Sequence, residues 1–447
     1  MIPEKLLISL EHIKNYDADA FKSIHEQNSP VSIRINPNKN SHIYHSENKV
    51  GWCEYGYYLA QRPSFTLDPL FHAGCYYVQE ASSMAIAQAF KQYIPNEPIK
   101  ILDLCAAPGG KSTLAATYMP EGSILVSNEV IKSRVKILEE NIIKWSDERV
   151  IITNNDPKDF EKLPQYFDVI IVDAPCSGSG LFRKDKNAIN EWSESNVNIC
   201  SGRQQRILDS AIKSLKPGGF IIYSTCSYSI EENETITDWM VDTYKLISKP
   251  LVLEKSWGIT AIETTKKNHG YRFWPHQVKG EGFYLSILKK EDEELQKNYL
   301  KESPKWTVIK NKAFEKLTDF INLGDEFGYI KINDEYIAVP YKDLTELGII
   351  ADKLYIKKAG ITLGKIMGKD FIPDHALAIS RLLPLHVNKV ELSLEMALNY
   401  LRKNNIYIPS EHTGWNVVTY KQIPLGWIKA MKDRTNNYYP KEWRILK

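Results

Sequence analysis

The segment DVIIVDAPCSGSGLFRKD, residues 168–185, begins as an aliphatic run and ends in a turn that carries Cys176. Fifty residues on, GFIIYSTCSYS repeats the arrangement, and Cys226 follows its own apolar run. Each thiol lies just past the end of a predicted strand. A thiolate is a strong nucleophile, and covalent catalysis by cysteine splits one hard step into two easier ones. Lys111 and Lys184 stand close enough in sequence to such strand ends to favour a thiolate electrostatically. Most cysteines are instead small buried apolar side chains. That is the reading for Cys53, Cys75 and Cys200, whereas Cys105 is set apart by lying in a ligand loop.

The elements that position these residues follow a strand–helix rhythm. Strands are expected at 101–104, 124–127, 150–153, 168–172 and 220–224, with further ones near 251–253 and 282–288. Helical patterns fall at 112–118, 131–143, 194–215 and 231–244. Alternating βα units imply a doubly wound α/β domain with a mostly parallel sheet. Ahead of it, the pattern predicts a helix over 4–21, a strand around Arg34 and an amphipathic helix over 78–90. The charged stretch 289–305 reads as a linker. The expected organisation is a small N-terminal domain (1–95), the α/β domain (96–290), a linker and short-stranded middle region (291–375), and a basic C-terminal domain (376–447). No internal repeat is visible.

Ligands of doubly wound sheets bind at the carboxyl ends of the strands. The first strand runs into DLCAAPGGKS, whose small residues from Cys105 through Ala106, Ala107, Pro108, Gly109 and Gly110 to Lys111 admit close backbone approach. This is neither the GxGxxG nor the GxxxxGKS pattern. Glu129, Asp156 and Asp173 follow the next three strands, and Arg134 is counted with the cofactor residues. Singly, such carboxylates are more often helix caps or turn residues. Together they suit a ligand rich in donors and carrying positive charge, and they repel a pyrophosphate. S-adenosylmethionine fits better than NAD or ATP. With a methyl donor there, the thiols point to an acceptor needing covalent activation. Carbon 5 of a pyrimidine is a poor nucleophile until a thiolate adds to carbon 6.

Composition limits the alternatives. The 447-residue chain is too long for one simple core, and 43% hydrophobic with 25% charged residues marks it as globular. No apolar run nears the roughly 18–20 residues of a membrane span, and the N-terminal segment lacks a secretory pattern. Six cysteines without a CxxC pair argue against disulfides and zinc, so a cytoplasmic setting is expected. Net charge is only +2, yet residues 376–447 hold 11 Lys/Arg against 5 Asp/Glu. Tyr407, Trp415, Tyr420, Trp427, Tyr438, Tyr439 and Trp443 lie among them. Cations for phosphates and aromatics for splayed bases suit RNA; an ordinary soluble domain with Lys-rich faces is the alternative.

The motifs LDLCAAPGGKS, VDAPCSGSGLFRKD and YSTCSYSIEENE closely resemble those of RNA cytosine carbon-5 methyltransferases of the NOL/NOP/Sun type. FHAGCYYVQEASSM resembles that family's lead-in, and PLGWIKAMKDRTNNYYPKEWRI its PUA-like end in the bacterial RsmF-like branch acting on 16S ribosomal RNA. The likeness covers most of the chain and is weakest over 304–370. It implies a Rossmann-like class I methyltransferase domain and S-adenosylmethionine as cofactor, without a metal. It places ribose binding on Glu129, the adenine side on Asp156 and the acid of the Pro-Cys motif on Asp173. By resemblance alone, Cys226 is the nucleophile and Cys176 assists release of the adduct, with Lys111, Lys184 and Asp173 in the catalytic set. Lys186 and Tyr438 depart from the common proline and histidine, at neither cofactor nor thiol positions. The expected partner is 16S ribosomal RNA or the small subunit, no membrane, and the enzyme a monomer. The same chemistry on transfer RNA, and a non-catalytic RNA-binding assembly factor, stay open; a missing GxGxxG disfavours an NAD-linked oxidoreductase.

Overall fold

A computed structural model describes residues 2–39, 48–292, 306–309, 321, 323–408 and 413–446. The N-terminal part holds helices α1 (Glu4–Leu10) and α2 (Ala18–His25) and an antiparallel sheet of β1 (Val31–Ile35), β2 (Gly56–Leu59) and β3 (Tyr76–Val78), with β1 in the middle. Two short helices follow, α3 (Pro69–His72), which precedes β3, and α4 (Ile86–Tyr93). The single helix expected over 4–21 is interrupted. Asn15 turns left-handed, and the Asp17 carboxylate caps α2 by accepting from the Asp19 and Ala20 amides. The helix expected over 78–90 starts late. Val78 is used by the sheet, and Glu80 accepts from the Ser82 and Ser83 amides to open the turn that leads into α4.

The central elements match the predicted rhythm: β4 (Lys100–Asp103), α5 (Gly110–Tyr118), β5 (Ile124–Asn128), α6 (Lys132–Trp145), β6 (Val150–Thr153) and β7 (Phe167–Asp173). Then come α7 (Lys186–Glu191), α8 (Glu194–Ser214), β8 (Leu215–Thr225) and α9 (Glu234–Tyr244). Strands β6, β5, β4, β7 and β8 pair in parallel, in that spatial order. Buried on both faces, they read as continuous aliphatic runs, as parallel strands do. Beyond β8 the sheet continues antiparallel with β9 (Ile247–Ser248) at the side of β12, and β10 (Thr260–Glu263), β11 (His269–Phe273) and β12 (Phe283–Lys289). No strand forms at 251–253; Leu251 is buried as an irregular segment, and pairing falls earlier, at Ile247–Ser248. Of the expected linker, residues 293–305 lie outside the described residues.

The middle region is attached to the central domain rather than strung beside it. Its strands β13 (Thr307–Val308), β14 (Phe327–Ile332), β15 (Glu335–Pro340), β17 (Ile361–Met367) and β18 (Asp370–Pro373) form one sheet. Strand β16 (Ile356–Ala359) instead extends the central sheet, antiparallel to β6. Ile330, Ile337, Leu347 and Ile350 pack in the same core as Ile151, Phe160 and Tyr166. The last sheet, β19 (Lys389–Glu391), β20 (Gly414–Tyr420), β21 (Ile423–Ala430) and β22 (Thr435–Asn437), shares a core with the N-terminal part. There Tyr400, Leu401, Tyr439 and Ile445 meet Leu70, Ala73 and Tyr76.

One buried side chain binds the N-terminal sheet to the central domain. Arg34 on β1 donates to Gln79 Oε1 (2.8 Å), to Thr113 Oγ1 (2.6 Å) and to the Gly110 carbonyl (3.3 Å), and its guanidinium lies over the Trp145 ring at 4.4 Å. These partners include the first turn of α5. A buried fork of this kind cannot be reproduced by an ammonium. Arg34→Leu is expected to cost about 1.5–3 kcal/mol for a lost charged hydrogen bond, visible as a lower Tm. Arg34→Lys should recover little of it; full recovery by lysine would show that only the charge matters.

Candidate active site

The β4–α5 loop is built by one left-handed residue. Gly109 adopts φ +114°, a conformation open to glycine, and α5 starts immediately after it. Asp103, the last residue of β4, is fully buried and accepts a hydrogen bond from Ser112 Oγ at 2.7 Å. Its other oxygen, Oδ1, is buried with no hydrogen-bond partner among the described residues. Burial pushes this carboxyl up to about 7, with the Asp173 and Glu129 charges adding and the Ser112 bond opposing. After β5, Glu129 accepts from the Ile131 amide at 2.9 Å and faces Arg134 at 3.4 Å. Arg134 in turn donates to the Ala107 carbonyl at 2.6 Å, tying Glu129 to the small-residue loop. Asp156 after β6 caps the next helical turn, accepting from the Lys158 amide at 3.0 Å. Next to it the Tyr355 backbone, just before β16, exchanges hydrogen bonds with Asn155.

The second half of the site comes from β7 and β8. Their parallel register sets Asp173 opposite Ser224. Ser224 Oγ donates to Asp173 Oδ1 at 2.9 Å, and Lys111 Nζ lies 2.6 Å from Asp173 Oδ2. Burial pulls the Lys111 ammonium down, but Asp173, Asp103 and the Cys226 sulfur outweigh it and hold it above its ordinary value. The Cys176 and Cys226 sulfurs are 3.1 Å apart. The hydrogen bond to Cys226 and burial push the Cys176 thiol well up, and either sulfur can donate in this contact.

A brace missed in the sequence reading holds the thiols. Glu232 is fully buried beneath both loops. It accepts from the Ser177 amide (2.7 Å), from Ser177 Oγ (2.6 Å) and from Ser227 Oγ (2.5 Å). Ser177 and Ser227 are the residues directly after the two cysteines. Gln204 reaches the same carboxylate at 3.4 Å and the Pro175 carbonyl at 3.2 Å. Burial raises the Glu232 carboxyl and its hydroxyl and amide donors pull it back. The only sequence signal was its place in YSIEENE, six residues past Cys226.

A cavity of about 910 Å³ runs between these halves. Cys105, Ala107, Glu129, Arg134 and Asp156 line one end, and Asp173, Cys176 and Cys226 the other. Ala106 is buried under the loop, and Lys111 contributes through Asp173. Pro108, Gly109 and Gly110 shape the turn without lining the cavity. Lys184 is exposed and does not line it; it faces Glu281, because the turn after Leu181 leads the chain outwards. Lys111 is the cation brought to the thiols. Of the tail aromatics, Trp427 and Tyr439 are core residues, while Tyr407 is 84% exposed. The buried acids, one with an unpartnered oxygen, fit a cationic nucleoside such as S-adenosylmethionine.

Two outcomes follow from the buried carboxylates. Asp103 has its carboxyl raised in the folded state, so its contribution to stability is full below the unfolded value near 4 and is lost as pH rises through about 7. Relative to Asp103→Asn, the wild-type Tm should therefore fall from pH 4 to about 7 and level off above it; a flat difference refutes the raised carboxyl. Glu232→Ala leaves three buried donors unpaired and should destabilise by about 1.5–3 kcal/mol, with Glu232→Gln less affected. An unchanged Tm in the alanine variant would remove the brace.

Comparison with known proteins agrees with this construction. Residues 92–289 match the model of the 16S rRNA methyltransferase RsmB/F family. Residues 2–81 match the N-terminal domain of 16S rRNA methyltransferase RsmF, and 387–445 the methyltransferase RsmF PUA domain. Ribosomal RNA small subunit methyltransferase F of Citrobacter koseri is 32% identical over 410 residues, spanning 88% of this chain and 84% of that protein. The protein of the same name from Escherichia coli O9:H4 is 32% identical over 416 residues, with the same coverage of each chain. A solved methyltransferase homolog from Pyrococcus horikoshii is 26% identical with a TM-score of 0.51, covering 65% of this chain and all of that one. NSun6 from Pyrococcus horikoshii, at 19% identity and a TM-score of 0.54 over 65% of this chain and 99% of that one, shares the fold. With its thiols, acids and small-residue loop in one cavity, the chain belongs to the RsmB/F family of S-adenosylmethionine-dependent ribosomal RNA methyltransferases.

Proposed function

We propose that the site makes 5-methylcytidine in 16S ribosomal RNA through a covalent cysteine adduct. The observation that carries this reading is the thiol pair at 3.1 Å beside the Lys111–Asp173 ion pair. A methyl transfer to an exocyclic amine needs no thiol. S-adenosylmethionine, when bound, supplies an electrophilic methyl group. Glu129 would hold its ribose, Asp156 would face the adenine side, and Cys105 and Ala107 of the small-residue loop would line the same pocket.

The target cytosine leaves its stack to enter the cavity. Cys226 attacks carbon 6 as a thiolate, with Lys111 nearby to favour the anion. The carbon 5–carbon 6 π electrons then lie on carbon 5, which takes the methyl group. Asp173 stabilises the activated base. In the release step the carbon 5 proton passes to a solvent base, its electron pair restores the double bond, and the carbon 6–sulfur bond breaks. Cys226 leaves as a thiolate that accepts the hydrogen bond of the Cys176 thiol. Without that donor the leaving sulfur is poorer and the adduct lasts longer.

The remaining organisation is part of the same proposal. Residues 96–290 carry the chemistry, and 1–95, 291–375 and 376–447 serve the RNA, in a monomeric cytoplasmic enzyme. The basic tail supplies phosphate contacts, with exposed rather than core aromatics for bases. Because it shares the Tyr400–Tyr439 core with the N-terminal part, point substitutions at its exposed cations suit its study better than deletion.

The two thiols are separable on a denaturing gel. Each variant is incubated with a 16S ribosomal RNA transcript and S-adenosylmethionine. Cys176→Ala should give a slow, nuclease-sensitive protein band, absent from Cys226→Ala and from the double variant. The reverse pattern would make Cys176 the nucleophile. Intact methylation in both single variants, with no band, would remove the covalent route.

A further inference from the structure

The cavity mouth carries three cations without an ion-pair partner among the described residues. Arg203 and Arg206, one turn apart on α8, and Lys158, opposite them after β6, all line the cavity. Both arginines are exposed, and none of the three has an acidic partner among the described residues. The other basic side chains of the cavity are engaged. Arg134 faces Glu129, and Lys213 lies 3.2 Å from both Glu161 and Asp209. The acids near the arginines are thus already committed, Glu161 also accepting from Ser210 and Asp209 from Tyr244. A free guanidinium is a planar fork matched to phosphate oxygens.

Position adds to charge. Gln204, between the two arginines in sequence, donates to the Pro175 carbonyl and so registers this stretch of α8 against the Cys176 loop. The same mouth exposes apolar side chains. Val130 is 50% exposed, Ile131 49% and Leu181 38%, and all three line the cavity. Unpaired cations interleaved with exposed apolar groups suit a single-stranded nucleic acid, whose phosphates need charge and whose unstacked bases need an apolar surface.

We propose that Arg203 and Arg206 clamp the two phosphates that flank the target nucleotide, with Val130, Ile131 and Leu181 receiving the neighbouring bases. The clamp rests on the reading of the cavity as the RNA methylation site. It assigns α8, the helix that closes the cavity, to the substrate. The clamp acts by holding the strand while one base turns inward, so Arg203 and Arg206 are positioning residues.

The test compares wild type with Arg203→Ala/Arg206→Ala and with the double lysine variant. Binding of the 16S transcript is titrated from 50 to 300 mM salt, and S-adenosylmethionine affinity is measured by calorimetry. Losing two phosphate contacts should make the slope of log affinity against log salt shallower by about 1.4, at roughly 0.7 per phosphate of a single strand. RNA KM should rise, cofactor affinity should hold, and lysine should restore the slope but not the full affinity. Unchanged slope and RNA affinity in the alanine variant overturn the clamp. A loss of cofactor affinity with RNA binding intact overturns it too, and moves the arginines to the cofactor. Failure of the methylation reading registers separately, as wild-type enzyme that binds the transcript and leaves its cytosines unmodified.

Discussion

A carboxylate that never meets solvent keeps the two thiols side by side. Glu232 has its charge buried, which is costly unless it is fully hydrogen-bonded, and its partners are the residues that follow Cys176 and Cys226. The parallel pairing of β7 with β8 brings both loops to one end of the sheet, with Asp173 beside Ser224. Register alone leaves the loops free to diverge. The shared carboxylate removes that freedom, because separating the loops would strand an unpaired buried charge. The 3.1 Å sulfur separation is therefore a consequence of packing beneath the site.

The electrostatics of the cavity sort into two ends. At one, Glu129 and Asp156 gather negative charge around the small-residue loop, and burial beside other acids raises the Asp103 carboxyl to about 7. At the other, Lys111 is trapped between Asp173 and the Cys226 sulfur. Glu129 and Asp156 thus lie at one end of the cavity, and the Lys111–Asp173 pair with the thiols at the other. One ion pair joins the ends, since Lys111 begins in the cofactor loop and finishes against the cysteine strand.

The outer regions are bolted to this centre by buried contacts. Arg34 fixes the N-terminal sheet to the helix that follows the loop, β16 borrows the free edge of β6, and the last sheet closes on Leu70 and Tyr76. Tyr355 reaches Asn155, directly before Asp156. Surfaces proposed to hold RNA are in this way mechanically continuous with the acid side of the cavity. An edge strand left unpaired would invite other chains, so covering β6 also protects the sheet.

What the amino-acid order determined by itself was local and periodic. Aliphatic runs bounded by small or acidic residues marked β4 to β7 and the carboxyl end of β8 within a residue or two, though β8 begins earlier than expected, at Leu215, and the loop glycines, Glu129, Asp173 and the two cysteines stood out because each follows such a run. Those signals are short-range, carried by alternation and turn chemistry. The breaks at Asn15 and before α4 were obscured because side-chain caps from Asp17 and Glu80 overrode helical periodicity. Tertiary structure alone decided the rest. Lys184 and Lys111 look equivalent in sequence, yet only Lys111 reaches the thiols. Glu232 and Arg203 acquire their places only when α8 folds against β7 and β8. Trp427 and Tyr439 read as binding aromatics until their burial makes them core. Burial and long-range contact depend on which distant segments meet, and a linear pattern carries no record of that meeting.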